Sequence, residues 1–303
     1  MKKVIVRLKG GLGNQLFGYA AARRLALANN AQLVIDDVTG FSRDRHHFRK
    51  FALDYFNIQS PRAGFFDRLE PFERYRRGIY KWLSQKKPFM QRNYLIQEGM
   101  DFDERVLSLR VKGALYLDGL WQSEGYFKDA GAVIRDDLRI DPPQDKSSRE
   151  MAERIKSSNA LAIHVRWHDL PGCPDTHDLD TDYYKKAVAL MKDKVNSPQY
   201  FLFSDNPESA RLNLGLPAEQ VTFVSQNRKD HPAHNRGFDE SAIIDFWLMS
   251  QCKYFIIANS TFSWWAAWLA DFKDKIVVAP GKKIEGKVAW GFKGLIPDQW
   301  LKL

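Results

Sequence analysis

The apolar positions of this chain fall into short unbroken runs that alternate with stripes at helical spacing. Residues 3–8 form a β-rich run that enters the turn KGGLGNQ, and apolar residues then recur at helical spacing from about 15 to 29. With a second strand at 32–35, this is the opening of a βαβ unit. Helical character returns around 65–83, a strand at 114–118, and a helix ending near 138 after the stretch GLWQSEGYF. The second half alternates more cleanly, with strands at 160–165, 200–203, 221–224 and 254–258, and 275–279 read as the last. Helices are expected at 182–194 and 239–252, with a short one after FSDN. The run 254–258 has no polar break, which suits a parallel strand covered on both faces. It ends in Asn259, Ser260, Thr261 and Ser263, residues that cap helices, and then in a helix carrying WWAAWL. The pattern predicts an α/β fold of doubly wound type. The Pro-rich polar stretch DPPQDKSS, 141–148, predicts a boundary between two domains, 1–145 and 146–303. Trp290, Phe292 and Trp300 make the tail aromatic enough to pack back onto a domain.

Composition narrows the class. With 303 residues, 44% hydrophobic and 27% charged, the chain has the makeup of a soluble globular protein with a substantial core. Cys173 and Cys252 give neither a disulfide framework nor a zinc pattern, and Cys252 is expected in the core. The N-terminus has only a three-residue apolar run before the next charge, so no signal peptide is expected, and no apolar stretch is long enough to span a bilayer. The net charge of +9 is uneven: residues 41–92 hold 13 Lys/Arg against 5 Asp/Glu. That segment, with Arg43, Arg45, Arg49, Lys50, Arg74, Arg76, Arg77, Lys81, Lys86 and Lys87, reads either as a solvated basic face or as a docking surface. In the second reading it meets an anionic membrane or an anionic acceptor. No nucleic-acid-binding motif accompanies the charge, so no nucleic acid partner is expected.

Two places can carry chemistry. The sequence HVRWHD closes the strand at 160–165, and ligands of open α/β sheets bind beyond the carboxyl ends of strands. Alternation puts His164 and Arg166 on one side of that strand, where an Arg can grip a phosphate with two hydrogen bonds or make a salt bridge. The turn after 258 aims helix N–H groups and hydroxyls at one point, a seat for phosphate or simply a well-capped turn. The glycines at 10, 11 and 13 permit close backbone approach, although their spacing is neither G-x-G-x-x-G nor a P-loop. Asp245 is an acid in the apolar helix SAIIDFWLMSQC and either needs a partner or faces solvent. Asp101/Asp103 and Asp178/Asp180/Asp182 have the form of metal-binding triplets but read as loop acids and helix caps, so no metal is expected.

These stretches carry a resemblance. HVRWHD resembles the H-x-R-R-x-D motif of the α-1,2-fucosyltransferases, and GGLGNQLFGYA, GLWQSEGYF, FSDN and NSTFSWWAAWL are similar to further stretches of that family in the same order. The resemblance implies a GT-B fold, two Rossmann-like domains facing each other across a cleft, with the nucleotide sugar held mainly by the C-terminal one. It implies GDP-β-L-fucose as donor and no metal or other cofactor. The acceptor would be a galactose-terminated glycan, lipid-linked or free, fucosylated at the galactose 2-hydroxyl with inversion. The implied enzyme is a galactoside 2-α-L-fucosyltransferase, either cytosolic or loosely bound to the inner membrane face, building a surface glycan. The GDP-sugar would be held by Gly11, Gly13, Asn14, Gln15, His164, Arg166, Asp205, Asp245, Ser260, Thr261 and Ser263. Arg166 would stabilise the leaving diphosphate and Asp245 would read guanine. Asp169, close to Arg166 in the sequence, is either the general base or a carboxylate that orients Arg166 or His168. Where the family has a second Arg this chain has Trp167, which leaves the sugar more open than the nucleotide. The alternatives are a GT-B enzyme using another GDP-sugar and a non-catalytic GDP- or glycan-binding homologue.

Overall fold

The computed structural model describes residues 1–42, 49–166, 179–204, 206–224, 240–284 and 289–303. They form two compact units: Met1–Ile140 with Phe292–Leu295 in one, and the remainder, including Ile296–Leu303, in the other.

The first unit is built on a four-stranded parallel sheet. Its strands are β1 (Lys3–Arg7), β2 (Gln32–Asp36), β3 (Tyr94–Ile96) and β4 (Ala114–Asp118), in the order β2-β1-β4-β3. Both faces of β1 are covered, so Val4, Ile5 and Val6 are buried without alternation. Helix α1 (Leu12–Ala28) follows β1 and packs Leu16, Phe17, Ala20 and Leu25 into the core. It starts three residues before the periodicity predicts, with Gly11 as its N-cap and Gly13 inside its first turn. Helix α2 (Glu73–Gln85) occupies the second half of the expected helical region, and α3 (Gly131–Asp137) ends where expected. The three-residue β3 gives too short a pattern to be read from sequence.

The second unit holds a six-stranded parallel sheet. Helix α4 (Lys146–Lys156) opens it, with the Asp145 carboxylate accepting the Ser148 N–H at 2.7 Å. The second half of DPPQDKSS is therefore a capped helix start rather than linker. The strands are β5 (Ala160–Val165), β6 (Gln199–Ser204), β7 (Val221–Phe223), β8 (Tyr254–Ile256), β9 (Ile276–Ala279) and β10 (Leu301–Lys302). Between them run α5 (Thr181–Lys194), α6 (Pro207–Leu214), α7 (Glu240–Ser250) and α8 (Thr261–Leu269). The order is β10-β9-β8-β5-β6-β7. β10 corrects the expectation that 275–279 is the last strand: two residues are too few to show a period, and pairing with β9 alone defines it. Leu161, Ile163, Tyr184, Met191, Leu202 and Ile256 are central to one layer of core. Trp264, Trp265 and Trp268 of α8 pack on one another, and Trp300 of the tail lies against Trp264 at 5.3 Å between ring centroids. Cys252 is fully buried, and burial pushes its thiol well above the usual range. No helix among the described residues is long and apolar enough to cross a membrane.

Candidate functional site

The strand order of the second unit marks a point for a ligand. From β5 the chain lays β6 and then β7 on one side, and afterwards places β8 on the other side of β5. The strand order thus reverses between β5 and β8, and doubly wound sheets bind ligands beyond the carboxyl ends of strands at such a point. The two stretches singled out in the sequence, HVR and NSTFS, both end at this switch point.

Side chains join them. Ser260 caps α8, its hydroxyl accepting the Phe262 N–H at 3.3 Å, and is buried with Ser263. Ser263 Oγ donates to the Ser260 carbonyl at 3.3 Å and lies 2.8 Å from His164 Nδ1. Nδ1 and that hydroxyl share one hydrogen bond, which orients the imidazole. The His164 ring also rests 5.9 Å from the Phe262 ring, and Phe262 meets Phe246 of α7 edge-on at 5.2 Å. Arg166, one residue beyond β5, is half-buried. Among the described residues it has no hydrogen-bond or ion-pair partner. A guanidinium carries five N–H donors, and one half-buried just past the carboxyl end of a parallel strand is suited to an anion. Asn259 and Thr261 flank the cap and are half-buried, and Asp245 is half-buried on α7 next to Phe246.

One residue that sequence reasoning passed over supports this turn. Tyr183 of α5 donates its hydroxyl to the Ile257 carbonyl at 2.8 Å, just past β8. Burial pushes its phenol well above the usual range, so it remains a donor. Its sequence signal is faint: Asp180 caps α5 by accepting the Tyr183 N–H at 2.9 Å, which orients the first turn. Asp180 is thereby a helix cap, as the sequence suggests. Likewise Asp103 accepts from Arg105 at 2.8 Å, and Asp101 accepts the Lys293 N–H at 2.9 Å. Among the described residues no three His, Cys, Asp or Glu side chains are grouped to hold a metal.

The glycine turn lies in the first unit, at the carboxyl end of β1. Gly10 has φ +78°, and a Cβ there would come 2.7 Å from Asn14 Nδ2. Glycine is required on both counts. Gly11 is open, and a Cβ there would lie 3.7 Å from the Arg49 guanidinium, which puts a cation beside the turn. Gly13 is buried in the first turn of α1. Asn14 accepts from Gln122 Nε2 at 2.6 Å, which ties GGLGNQ to GLWQSEGYF. Gln15 is 1% exposed and its amide is spent inside the protein. Nε2 donates to the Gly10 and Lys50 carbonyls at 3.0 and 2.9 Å, and Oε1 accepts the Ala52 N–H at 2.9 Å. It braces the turn.

A network not foreseen from the sequence closes the end of this sheet. Asp118, at the end of β4, accepts from Lys9 at 2.9 Å, Arg7 at 3.3 Å and the Tyr94 hydroxyl at 3.0 Å. Burial alone would raise its pKa, but the Lys9 and Arg7 charges outweigh that and hold it below the usual carboxylate range. Asp169, Trp167 and Asp205 lie outside the described residues.

Comparison with known proteins agrees with the fold and the motifs. The chain is 27% identical to an Escherichia coli protein named alpha-1,2-colitosyltransferase, an alignment that takes in all of this chain and 99% of that one. It is 30% identical to the Escherichia coli O-antigen biosynthesis glycosyltransferase WbnK, across 98% of this chain and 99% of the other. The pig galactoside alpha-(1,2)-fucosyltransferase 1 is 22% identical over 86% of this chain and 64% of its own. Among solved structures, POFUT1 in complex with GDP-fucose superposes with a TM-score of 0.51 at 12% identity, covering 92% of this chain and 98% of that one. A likeness at that identity bears on the fold alone, which is of GT-B type with two Rossmann-like parallel-sheet units. The sequence profile of Glycosyl transferase family 11 matches residues 77–287, more than half of the chain, and the chain belongs to that family.

Proposed function

We propose that this glycosyltransferase moves L-fucose from GDP-β-L-fucose to the 2-hydroxyl of a terminal galactose, with inversion and without a metal, in a surface glycan. The observation that carries the reading is Arg166, half-buried at the β5/β8 switch point with no partner among the described residues. As the bond from the sugar to GDP breaks, negative charge grows on the β-phosphate, and rate depends on stabilising it. Arg166 supplies a fixed positive charge, and the N-terminus of α8, capped by Ser260, supplies the dipole. His164, held by Ser263, keeps the floor of the site in place beneath the diphosphate. Asp245 accepts the guanine N1–H and exocyclic amine, and Asp169 takes the proton of the acceptor hydroxyl. The enzyme acts in the cytoplasm.

One observation favours a second reading of the donor. Similarity to an α-1,2-colitosyltransferase extends over the whole chain. Colitose is L-fucose without its 3-hydroxyl, so both donors share the nucleotide, the anomeric centre and the 6-deoxy carbon. The test is GDP release with EDTA present, from GDP-fucose, GDP-colitose and GDP-mannose, each with and without lactose, N-acetyllactosamine or a β1,3-linked galactoside. Acceptor-dependent release from GDP-fucose, with an α-1,2 linkage in the product by NMR, is the expected result. Release from GDP-colitose alone selects the second reading, and activity that EDTA abolishes and Mn²⁺ restores refutes the metal-free mechanism.

A further inference from the structure

Helix α2 is amphipathic, and it buries its polar side. Arg76 donates to the Glu70 carbonyl at 2.7 Å, and Arg77 lies 4.0 Å from Asp36. Tyr80 meets the Tyr116 ring edge-on at 5.9 Å, and Ser84 Oγ donates to the Tyr94 carbonyl at 2.9 Å while accepting its N–H at 3.0 Å. These residues recur at three- and four-residue spacing, which places them on one face. The opposite face carries Tyr75, Ile79 and Trp82 at the same spacing, and each is more than half exposed. Phe72, just ahead of the helix, and Phe66, in the preceding turn, are more than two-thirds exposed. Scattered apolar residues are ordinary on a surface, but a helix that turns its apolar stripe outward marks a contact surface.

The rim of this face is cationic. Arg74, Lys81, Lys86 and Lys87 are exposed, and the Lys86 ammonium sits 3.4 Å over the Trp82 ring. From 73 to 92 the chain holds seven Lys/Arg and one acid, Glu73. An apolar stripe with basic flanks is the pattern of a helix that lies in a membrane interface. Long basic side chains there keep their charges at headgroup level while their stems cover apolar surface.

We propose that the outward face of α2 docks on a bilayer that contains anionic lipid. Tyr75, Ile79 and Trp82 enter the boundary between headgroups and acyl chains, and Arg74, Lys81, Lys86 and Lys87 meet the lipid phosphates. Charge selects this occupant over a second copy of the chain, which would bring the same cations face to face. The contact is peripheral and is independent of the identity of the donor sugar.

The test is sedimentation with vesicles of equal parts phosphatidylglycerol and phosphatidylcholine, against pure phosphatidylcholine, at low and high salt. Wild type pellets with the anionic vesicles and is partly released by salt. Ile79→Ser/Trp82→Ser and, separately, Lys81→Glu/Lys86→Glu each weaken binding about tenfold or more. All these positions are exposed, so both variants keep the wild-type melting midpoint and GDP affinity. Wild type that stays in solution with anionic vesicles at low salt overturns the proposal, as do variants that pellet equally well. A wild-type dimer that Ile79→Ser/Trp82→Ser dissolves, seen by analytical ultracentrifugation, also overturns it by assigning the face to a second copy.

Discussion

Replacing Gln15 by Ala separates a residue that braces the site from one that touches the ligand. The Gln15 amide makes three hydrogen bonds to backbone groups of the Gly10 turn and of residues 50 and 52, and the side chain is almost wholly buried. A hydrogen bond of this kind is worth about 1 kcal/mol net, and a buried backbone group left without a partner costs ~1–3 kcal/mol. Losing all three bonds, with partial rescue by entering water, gives ~3–5 kcal/mol, a large share of the ~5–15 kcal/mol that holds a domain folded. With a urea slope of ~2–3 kcal/mol per molar, the midpoint falls by ~1–2 M. Gln15→Glu retains the size and the acceptor for the Ala52 N–H but turns a carboxylate toward two carbonyl oxygens, so it too lowers the midpoint. The assay is urea unfolding followed by far-UV circular dichroism, with GDP titration by calorimetry beside it. A midpoint unchanged to within ~0.2 M, together with GDP affinity reduced tenfold, would refute the bracing role and return the Gln15 amide to the ligand.

Three further expectations can be checked in the same preparations. Ser263→Ala removes the hydroxyl that shares a hydrogen bond with His164 Nδ1, which costs ~1–3 kcal/mol of stability and loosens the imidazole; a melting midpoint equal to wild type would contradict that geometry. Because Asp118 has its pKa lowered in the fold, its stabilisation is complete above the unfolded-chain value of ~3.9 and is lost as pH falls through the folded value. The stability gap between wild type and Asp118→Asn should therefore be widest near neutral pH and close below pH ~4, whereas a gap independent of pH would mean that the Lys9 and Arg7 charges contribute nothing. Under the guanine contact proposed for Asp245, Asp245→Asn replaces one of two acceptors by a donor, so the preference for GDP over ADP should drop by ~10-fold or more; an unchanged preference would move base recognition elsewhere.

The parts of this fold that could be read from the sequence are those whose signal is local. β5 and β8 are apolar runs because helices cover both faces of a parallel sheet, and burial along β5 is nearly unbroken. The turn at Ser260 announces itself by its hydroxyls. The adjacency of β5 and β8 has no local signal, since a long stretch of chain separates them, yet that adjacency creates the switch point and brings His164 to Ser263. Helix α1 begins earlier than its periodicity suggests because glycine disfavours helix interiors, while Gly11 and Gly13 here serve as cap and first turn. The resemblance implies Gln15 as a donor contact, and a polar residue beside a glycine turn has the same appearance in sequence whether its amide points outward or is consumed by backbone. Only the positions of Lys50 and Ala52 distinguish the two. Helix α2 falls in a region read only for its helical character and charge, and periodicity alone does not say which side of a helix faces the core.

The account stands or falls on Arg166 as the anchor of the donor diphosphate. GDP titration by calorimetry of wild type, Arg166→Lys and Arg166→Ala, with acceptor-dependent transfer measured on the same samples, tests it most directly. The account predicts that wild type binds GDP and that Arg166→Ala loses transfer by ~100-fold or more, with Arg166→Lys intermediate because it keeps the charge but not the two-pronged grip. Arg166→Ala that binds GDP as tightly as wild type and transfers at the wild-type rate would contradict the assignment of the site.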